Sequence, residues 1–389
     1  MILSKPMYFA DVAGHKALKK NLIGNINQNR ISHAQLFLGP EGSGNLAIGL
    51  AYARYLLCQN RLPEDSCGVC STCKKLDKLE HPDVHFYFPT AKVKEKDGDE
   101  PDEKAAGSKA HLASWREMVL ESAYFQYADW LKKLGVENQQ TMIYTKDCIE
   151  LLNDLRLKAF EGRHKIIIIW MIEKLAVNTS SRLLKTLEEP ADGVVFLLVS
   201  QNKDAIIKTI LSRLQVVKVP LLSEEDIEGQ LLKSFRLDIA DARRIAFLSE
   251  GNYSKALALT SEGSEPEFEL LAFRDWMRLC FRRNPAEMLQ WSEKISKIGR
   301  ERQIVFLQQG LTIFRFCLLK NYKVDAAIRL EGEPLEFIER FASFVNHKNA
   351  LEIIDLFNEG IFHVARNANP KILFTDLSFT LSKLIKTAK

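Results

Sequence analysis

One stretch limits the possible folds more than any other: Leu36-Phe37-Leu38-Gly39-Pro40-Glu41-Gly42-Ser43-Gly44-Asn45-Leu46. An apolar run enters a glycine-rich turn, and a helix-compatible segment from Leu46 to Leu57 leaves it. That is the strand–loop–helix setting of the Walker A pattern G-x-x-x-x-G-K-[ST], in which backbone N–H groups and a helix N-terminus cradle phosphates. Gly39 and Gly44 stand at the two required glycine positions, with Gly42 between them. The next two positions depart from the pattern. Asn45 replaces the lysine that meets the β/γ-phosphates, and Leu46 replaces the hydroxyl that holds Mg²⁺. Glu41 adds a negative charge to a loop built for polyanions. The shape of a nucleotide site is kept while its charged donors are gone.

The chain of 389 residues is long enough for two or three domains, each with its own core. A net charge of +4 is too mild for a histone-like nucleic-acid binder or an acidic tail protein. There is no long apolar run, and Met1-Ile2-Leu3-Ser4-Lys5-Pro6 is no signal-peptide core, so a cytoplasmic protein without a membrane role is expected. Cytosolic cysteines are rarely paired as disulfides. Cys148, Cys280 and Cys317 lie singly in apolar stretches and are expected as buried thiols. The other four, Cys58, Cys67, Cys70 and Cys73, fall within 16 residues, three of them at C-x-x-C spacing with Gly68 to ease the turn. Four thiolates suit tetrahedral Zn²⁺ and leave no position open for water, so a structural zinc site is predicted. A redox C-x-x-C pair does not account for four cysteines.

Further along, His81–Pro89 reads as a short strand, and the charged, apolar-poor residues 91–110 as a mobile loop. Trp115 to Leu134 reads as an aromatic-rich amphipathic helix. Lys165-Ile166-Ile167-Ile168-Ile169-Trp170-Met171 has the continuous apolar character of a buried parallel strand. At its end, Trp170 and Met171 take the places where a Walker B strand carries its two acids, with Glu173 slightly further on. Helix 178–190, halted by Pro190, then strand 194–200, then a helical segment and strand 216–220 complete an α/β alternation. That alternation predicts a parallel sheet covered on both faces. His33, alone before the first strand, reads as a structural hydrogen-bonder.

Taken together, His33-Ala34 before the glycine loop, the four-cysteine insert, Leu183-Leu184-Lys185-Thr186-Leu187-Glu188-Glu189-Pro190 and Ser212-Arg213 resemble the AAA+ clamp-loader subunits of bacterial DNA polymerase III. The resemblance covers roughly residues 7–260. Motor subunits of that family (gamma/tau) keep intact Walker motifs, and a delta-prime type has degraded ones; this sequence is similar to the second. The resemblance implies that Arg213 is an arginine finger reaching ATP held by a neighbouring subunit, although Leu214 stands where the family's Ser-Arg-Cys has cysteine. Guanidinium suits such a role because its planar fork binds phosphate oxygens in pairs. Lys255 falls where a lid-domain "sensor 2" arginine is expected and is read as structural or vestigial. The implied partners are gamma/tau and delta-like subunits in a hetero-pentamer, with the sliding clamp and primer–template DNA reached through it. No ATP is expected on this subunit.

Residues 221–262 and 263–389 carry helical periods, and Ser223 with acids after it makes a good helix start. The expected organisation is α/β followed by all-α. Residues 1–220 form a P-loop AAA+ domain, with the zinc insert at 58–73 and a mobile insert at about 91–140. Residues 221–262 form a helical lid and 263–389 a helical collar that holds the oligomer together. Two other readings stay open: an active ATPase using Glu173 as its base, and a zinc-dependent nucleic-acid binder using the aromatics of 115–130 as its surface.

Overall fold

The structure, a computed structural model, describes residues 8–91, 107–136, 139–260, 266–324 and 333–387. They divide into two compact units that part between Thr260 and Ser261.

The first unit is built on five parallel strands: β1 (Ala34–Leu38), β2 (Val84–Tyr87), β3 (Lys165–Trp170), β4 (Val194–Ser200) and β5 (Gln215–Lys218), in the order β2-β3-β4-β1-β5. Every residue of β3 and β4 is buried, which is why both read as unbroken apolar runs. The two-residue strand period sends alternate side chains to opposite faces. Ile166, Ile168, Val195, Leu197 and Val199 join one core, and Ile167, Ile169, Phe196 and Leu198 join another. The first core is covered by α1 (Lys16–Asn27) and α2 (Asn45–Leu57), the second by α6 (Thr145–Arg156), α7 (Val177–Glu188) and α8 (Lys208–Leu211). In chain order α3 (Ser71–Leu76), α4 (Leu112–Glu121) and α5 (Tyr127–Leu134) come between α2 and α6, and their buried residues join the first core.

The expected single helix from Trp115 to Leu134 is thus two helices broken at 122–126, where Ser122 is extended. Much of the expected mobile insert of about 91–140 is ordered: Trp115, Val119, Trp130 and Leu131 are buried. Residues 92–106 and 137–138 lie outside the described residues. After β5 come α9 (Glu224–Ser234), capped by Ser223 accepting from the Asp226 N–H, then α10 (Ile239–Ser249) and α11 (Tyr253–Thr260). All three belong to the first unit, and Tyr253 and Ala256 share its core.

The second unit comprises, among the described residues, α12 (Pro266–Arg282), α13 (Pro285–Ile295), α14 (Arg300–Asn321), α15 (Glu333–Phe341), α16 (Ala350–Ala365) and α17 (Pro370–Thr387). Its core is aromatic. Trp276 stacks on Trp291 at 4.7 Å and donates its indole N–H to Ser378 Oγ at 2.8 Å. Gly310 lets α14 approach α16, since a Cβ there would stand 2.5 Å from the Phe357 ring. Cys280 and Cys317 are buried here, as Cys148 is in the first unit. Among the described residues no helix is long and apolar enough to cross a membrane.

Candidate functional site

In an open parallel sheet, ligands bind beyond the carboxyl ends of strands where the connections diverge. Here β1 connects towards β2 on one side and β4 towards β5 on the other, so the crevice lies between β1 and β4. The loop Gly39–Gly44 fills that place, with Gly42 and Gly44 at φ +74° and +83°. Asn45, the first residue of α2, is buried and turned inward. Its Nδ2 donates to the carbonyls of Gly39 and Ser200, both at 3.0 Å, and its Oδ1 accepts from the Leu46 N–H. The amide therefore ties the loop to the end of β4. Leu46 is buried in the core of α2.

Three other segments close over the loop. The Tyr124 ring lies where a Cβ on Gly44 would stand within 2.9 Å of it, and the Tyr124 hydroxyl accepts from the Ala13 N–H at 2.8 Å. Tyr253 donates its backbone N–H to Gly42 O at 3.0 Å, and its ring meets Tyr124 edge-on at 4.7 Å. A ring nitrogen of His15 lies 2.7 Å from Ser43 O. The cavity left among Gly42, Gly44, Asn45, Tyr124, Trp170 and Gln201 is about 10 Å³. That is at the lower bound of the room one water needs.

Trp170 ends β3, and its ring packs on Trp115 and Phe125 at 5.0 and 5.2 Å. Met171 follows at φ +56°, buried in the same core. The end of β3 is thus an aromatic seat for α4 and α5, and Trp115, Tyr127 and Trp130 are core rather than a base-stacking surface. Glu173 sits in a short turn after the strand, where its Oε1 accepts from the Gln201 N–H at 3.0 Å. Burial pushes its carboxyl above the usual carboxylate range against the pull of that N–H. Lys255 stands in the first turn of α11, where its backbone N–H is capped by Asn252 Oδ1 at 2.9 Å. His33 bonds to Leu187 O at 2.9 Å, a structural link between β1 and α7.

Arg213, between α8 and β5, is half-exposed. Its guanidinium pairs with Glu188 at the end of α7, with Nε 2.5 Å from Oε1, and Nη1 donates to Thr209 O at 2.6 Å.

The four cysteines converge at the far end of α2. Their Sγ atoms all lie within 4.8 Å of one another, and the pair Cys58–Cys73 is 3.7 Å apart. Tetrahedral Zn–S bonds of about 2.3 Å set sulfurs about 3.8 Å apart, so the donor set fits such an ion. Backbone N–H groups of Cys67, Cys70 and Cys73 point at the sulfurs of Cys58, Cys67 and Cys70 at 3.3–3.4 Å. Burial raises the Cys67 thiol, but the N–H groups of Val69 and Cys70 outweigh it and bring the thiol down to about 6.

Beneath the cluster lies Arg54 of α2, fully buried. It pairs with Asp77 at 2.9 Å, donates to Ser66 Oγ at 3.0 Å, and lies 3.8 Å over the Tyr8 ring while bonding the Tyr8 hydroxyl. Sequence reasoning missed Arg54 and Tyr124. A lone arginine in an apolar helix was a usable signal for the first; nothing local marked the second.

The family described as DNA polymerase III, delta subunit matches residues 14–223, a span that includes the glycine loop, all four cysteines and Arg213. DNA polymerase III subunit gamma of Buchnera aphidicola subsp. Acyrthosiphon pisum is 28% identical over 260 residues, which are 66% of this chain and 58% of that protein. Subunit tau of Escherichia coli K12 is 26% identical over 263 residues, 33% of its own length. Subunit delta′ of Bacillus subtilis is 26% identical over 214 residues, 55% of this chain and 50% of that one. The chain therefore spans less than two thirds of each of these relatives. Among solved structures, a gamma subunit-related protein from Thermotoga maritima aligns over 95% of this chain and 99% of its own, with 14% identity and a TM-score of 0.37. With more than half of its length matched, the chain belongs to the DNA polymerase III delta-subunit family.

Proposed function

We propose that this chain is a delta-prime-type subunit of a cytoplasmic DNA polymerase III clamp loader, one that holds no ATP of its own and lends Arg213 to ATP bound by a neighbour. The carrying observation is the state of the glycine loop. Asn45 spends its amide on Gly39 O and Ser200 O, and Tyr124 fills the space over Gly44. Phosphoryl transfer is mostly positioning and charge neutralisation. This crevice offers no lysine, no hydroxyl for Mg²⁺ and no Walker B acid, since Asn45, Leu46, Trp170 and Met171 stand in those places.

Arg213 has the opposite character: a half-exposed fork held by the Glu188 carboxylate, the Thr209 carbonyl and the Ser212 hydroxyl. In trans such a residue neutralises transition-state charge, worth roughly 10³–10⁵ in rate. The cysteine cluster would hold a structural Zn²⁺, closed to catalysis because all four positions are protein sulfur. The helices after Thr260 would form the collar that joins gamma/tau and delta-like subunits, and the assembly would bring the sliding clamp to primed DNA.

Two measurements test the reading. In the assembled loader, Arg213→Ala is expected to cut ATP turnover at least a hundredfold while the subunits still co-elute; unchanged turnover overturns the finger assignment. Titration calorimetry of the chain alone with Mg-ATP is expected to give no heat of binding. Micromolar affinity there overturns the empty-site reading and favours an ATPase that uses Glu173.

A further inference from the structure

Residues 8–15, which precede α1, form a strap that touches both ends of α2. At its start, Tyr8 bonds the Arg54 guanidinium beneath its ring and donates to Asp77 Oδ1 at 3.4 Å. Its hydroxyl also packs on Gly68, between Cys67 and Cys70, where a Cβ would come within 3.0 Å of it. Ala10 donates its N–H to Asp65 Oδ2 at 2.9 Å, in the same cysteine-bearing loop. Midway, Phe9 and Val12 are sunk in the first core, and Lys233 and Gln230 of α9 donate to Ala10 O and Asp11 O at 2.9 and 3.4 Å. At its end, Ala13 donates to the Tyr124 hydroxyl and His15 meets Ser43 O, two of the contacts that close the crevice. The thirteen residues of α2 set the two ends about 20 Å apart.

The strap's anchors are unequal. Tyr124 and Ser43 belong to the packed body of the unit, whereas Asp65 and Gly68 sit in a loop with no helix or strand between α2 and α3. That loop leaves Leu62 and Val69 half to largely exposed, so it buries little apolar surface of its own. What holds it together is the convergence of four sulfurs, and at such sites metal affinity is folding free energy. We infer that the metal at the cysteines regulates the far end of α2: through the strap it sets how firmly the crevice over the glycine loop is closed. The inference rests on the reading that the cysteines hold Zn²⁺. With the metal bound, Asp65 and Gly68 fix Tyr8 and Ala10, and the strap keeps Ala13 and His15 against Tyr124 and Ser43. With the metal removed, Lys233 and Gln230 still hold the middle, but the start is loose and the crevice opens more often by local unfolding. Coupling free energy is reciprocal, so loosening the strap at the crevice weakens the metal by the same factor.

Hydrogen exchange of the full chain, loaded with Zn²⁺ and after EDTA, reads the first direction. The N–H groups of Ala13 and Tyr253, which donate to the Tyr124 hydroxyl and Gly42 O, are expected to exchange at least about fivefold faster without metal. Amides of β4 and of the second unit should stay within about twofold. Tyr8→Ala, which cuts the strap from Arg54 and Gly68, should give the same acceleration with the metal still bound, and EDTA should then add little. If chelation unfolds the whole unit, this loaded variant decides, and wild-type exchange in it overturns the inference. Competition for Zn²⁺ against a chromophoric chelator reads the reverse direction. Tyr124→Phe, which touches no cysteine, should weaken Zn²⁺ at least about threefold. Ile210→Val, in the core on the other face of the sheet, should not. The inference is overturned if stripping the metal frees the amides of 58–73 alone, or if Tyr124→Phe binds Zn²⁺ as wild type does; both results leave the zinc reading standing. A chain that neither carries nor takes up Zn²⁺ by atomic absorption refutes the zinc reading itself, and the inference with it.

Discussion

The two ends of α2 invite comparison. Each is a loop turned by glycine at positive φ, Gly44 at +83° and Gly68 at +73°, and thirteen buried residues join them. At the first end the chain's own groups fill the crevice: an asparagine amide, a tyrosine ring and a backbone N–H. At the second, four sulfurs face one another, with backbone N–H groups pointing at three of them. The difference is chemical. A cradle of carbonyls and amides can be satisfied by any neutral donor and acceptor, so losing its ligand costs little once a side chain turns inward. Converging thiolates repel one another and have no such internal substitute.

The comparison breaks most readily at the cysteine end. If the cluster holds zinc as proposed, Cys73→Ser removes a ligand from a site of the kind worth about 10–16 kcal/mol in small zinc domains. Metal content by atomic absorption should fall well below one per chain, and the melting temperature should drop with it; a wild-type protein that melts identically after chelation refutes the assignment. At the loop end, Tyr124→Ala opens a cavity and should cost about 3–5 kcal/mol in urea unfolding. Tyr124→Phe, which only strands the Ala13 N–H, should cost about 1–3 kcal/mol.

Asn45→Ala is expected to cost about 1–3 kcal/mol through the loss of its bonds to the Gly39 and Ser200 carbonyls. Asn45→Lys should gain no Mg-ATP affinity in calorimetry while Tyr124 stays in place, and detectable binding by that single variant would show the filling to be incidental. The smallest effect is one of pH. Burial alone would raise the Asp83 pKa, but the N–H groups of Phe160, Glu161 and Gly162 outweigh it and leave it lowered. Its stabilising share is complete above the unfolded aspartate value, about 3.9, and is lost as pH falls through the lower folded value. Denaturant midpoints between pH 5 and pH 2.5 should therefore fall less steeply in Asp83→Asn.

Much of this was legible in the chain. Ile166–Ile169 and Val194–Val199 could only be strands buried on both faces, and the cysteine spacing announced a single cluster. The missing lysine at Asn45 was plain, but not what Asn45 does instead, because its partner Ser200 lies 155 residues away. Tyr124 was hidden for the same reason. Its neighbours Ala13, Gly44 and Tyr253 come from three distant segments, and the charged run before it resembles a loop that orders nothing. The break in the 115–134 helix was missed because its apolar spacing is carried by aromatics that turn out to pack on Trp170 and Phe88. Arg213 was found by resemblance, while Glu188, 25 residues earlier, gave no sign of being its companion.

That companion has a consequence in time. The Arg213–Glu188 pair is partly exposed on both sides, 33% and 45%, and such pairs contribute about 0–1 kcal/mol. Exposed side chains exchange rotamers in picoseconds to nanoseconds, whereas domains and subunits rearrange in microseconds to milliseconds. The guanidinium can therefore leave and regain its carboxylate many times, roughly a thousandfold or more, during any larger movement. Glu188 parks the charge without ever setting a rate, and the pace of whatever Arg213 does next belongs to the bodies that move around it.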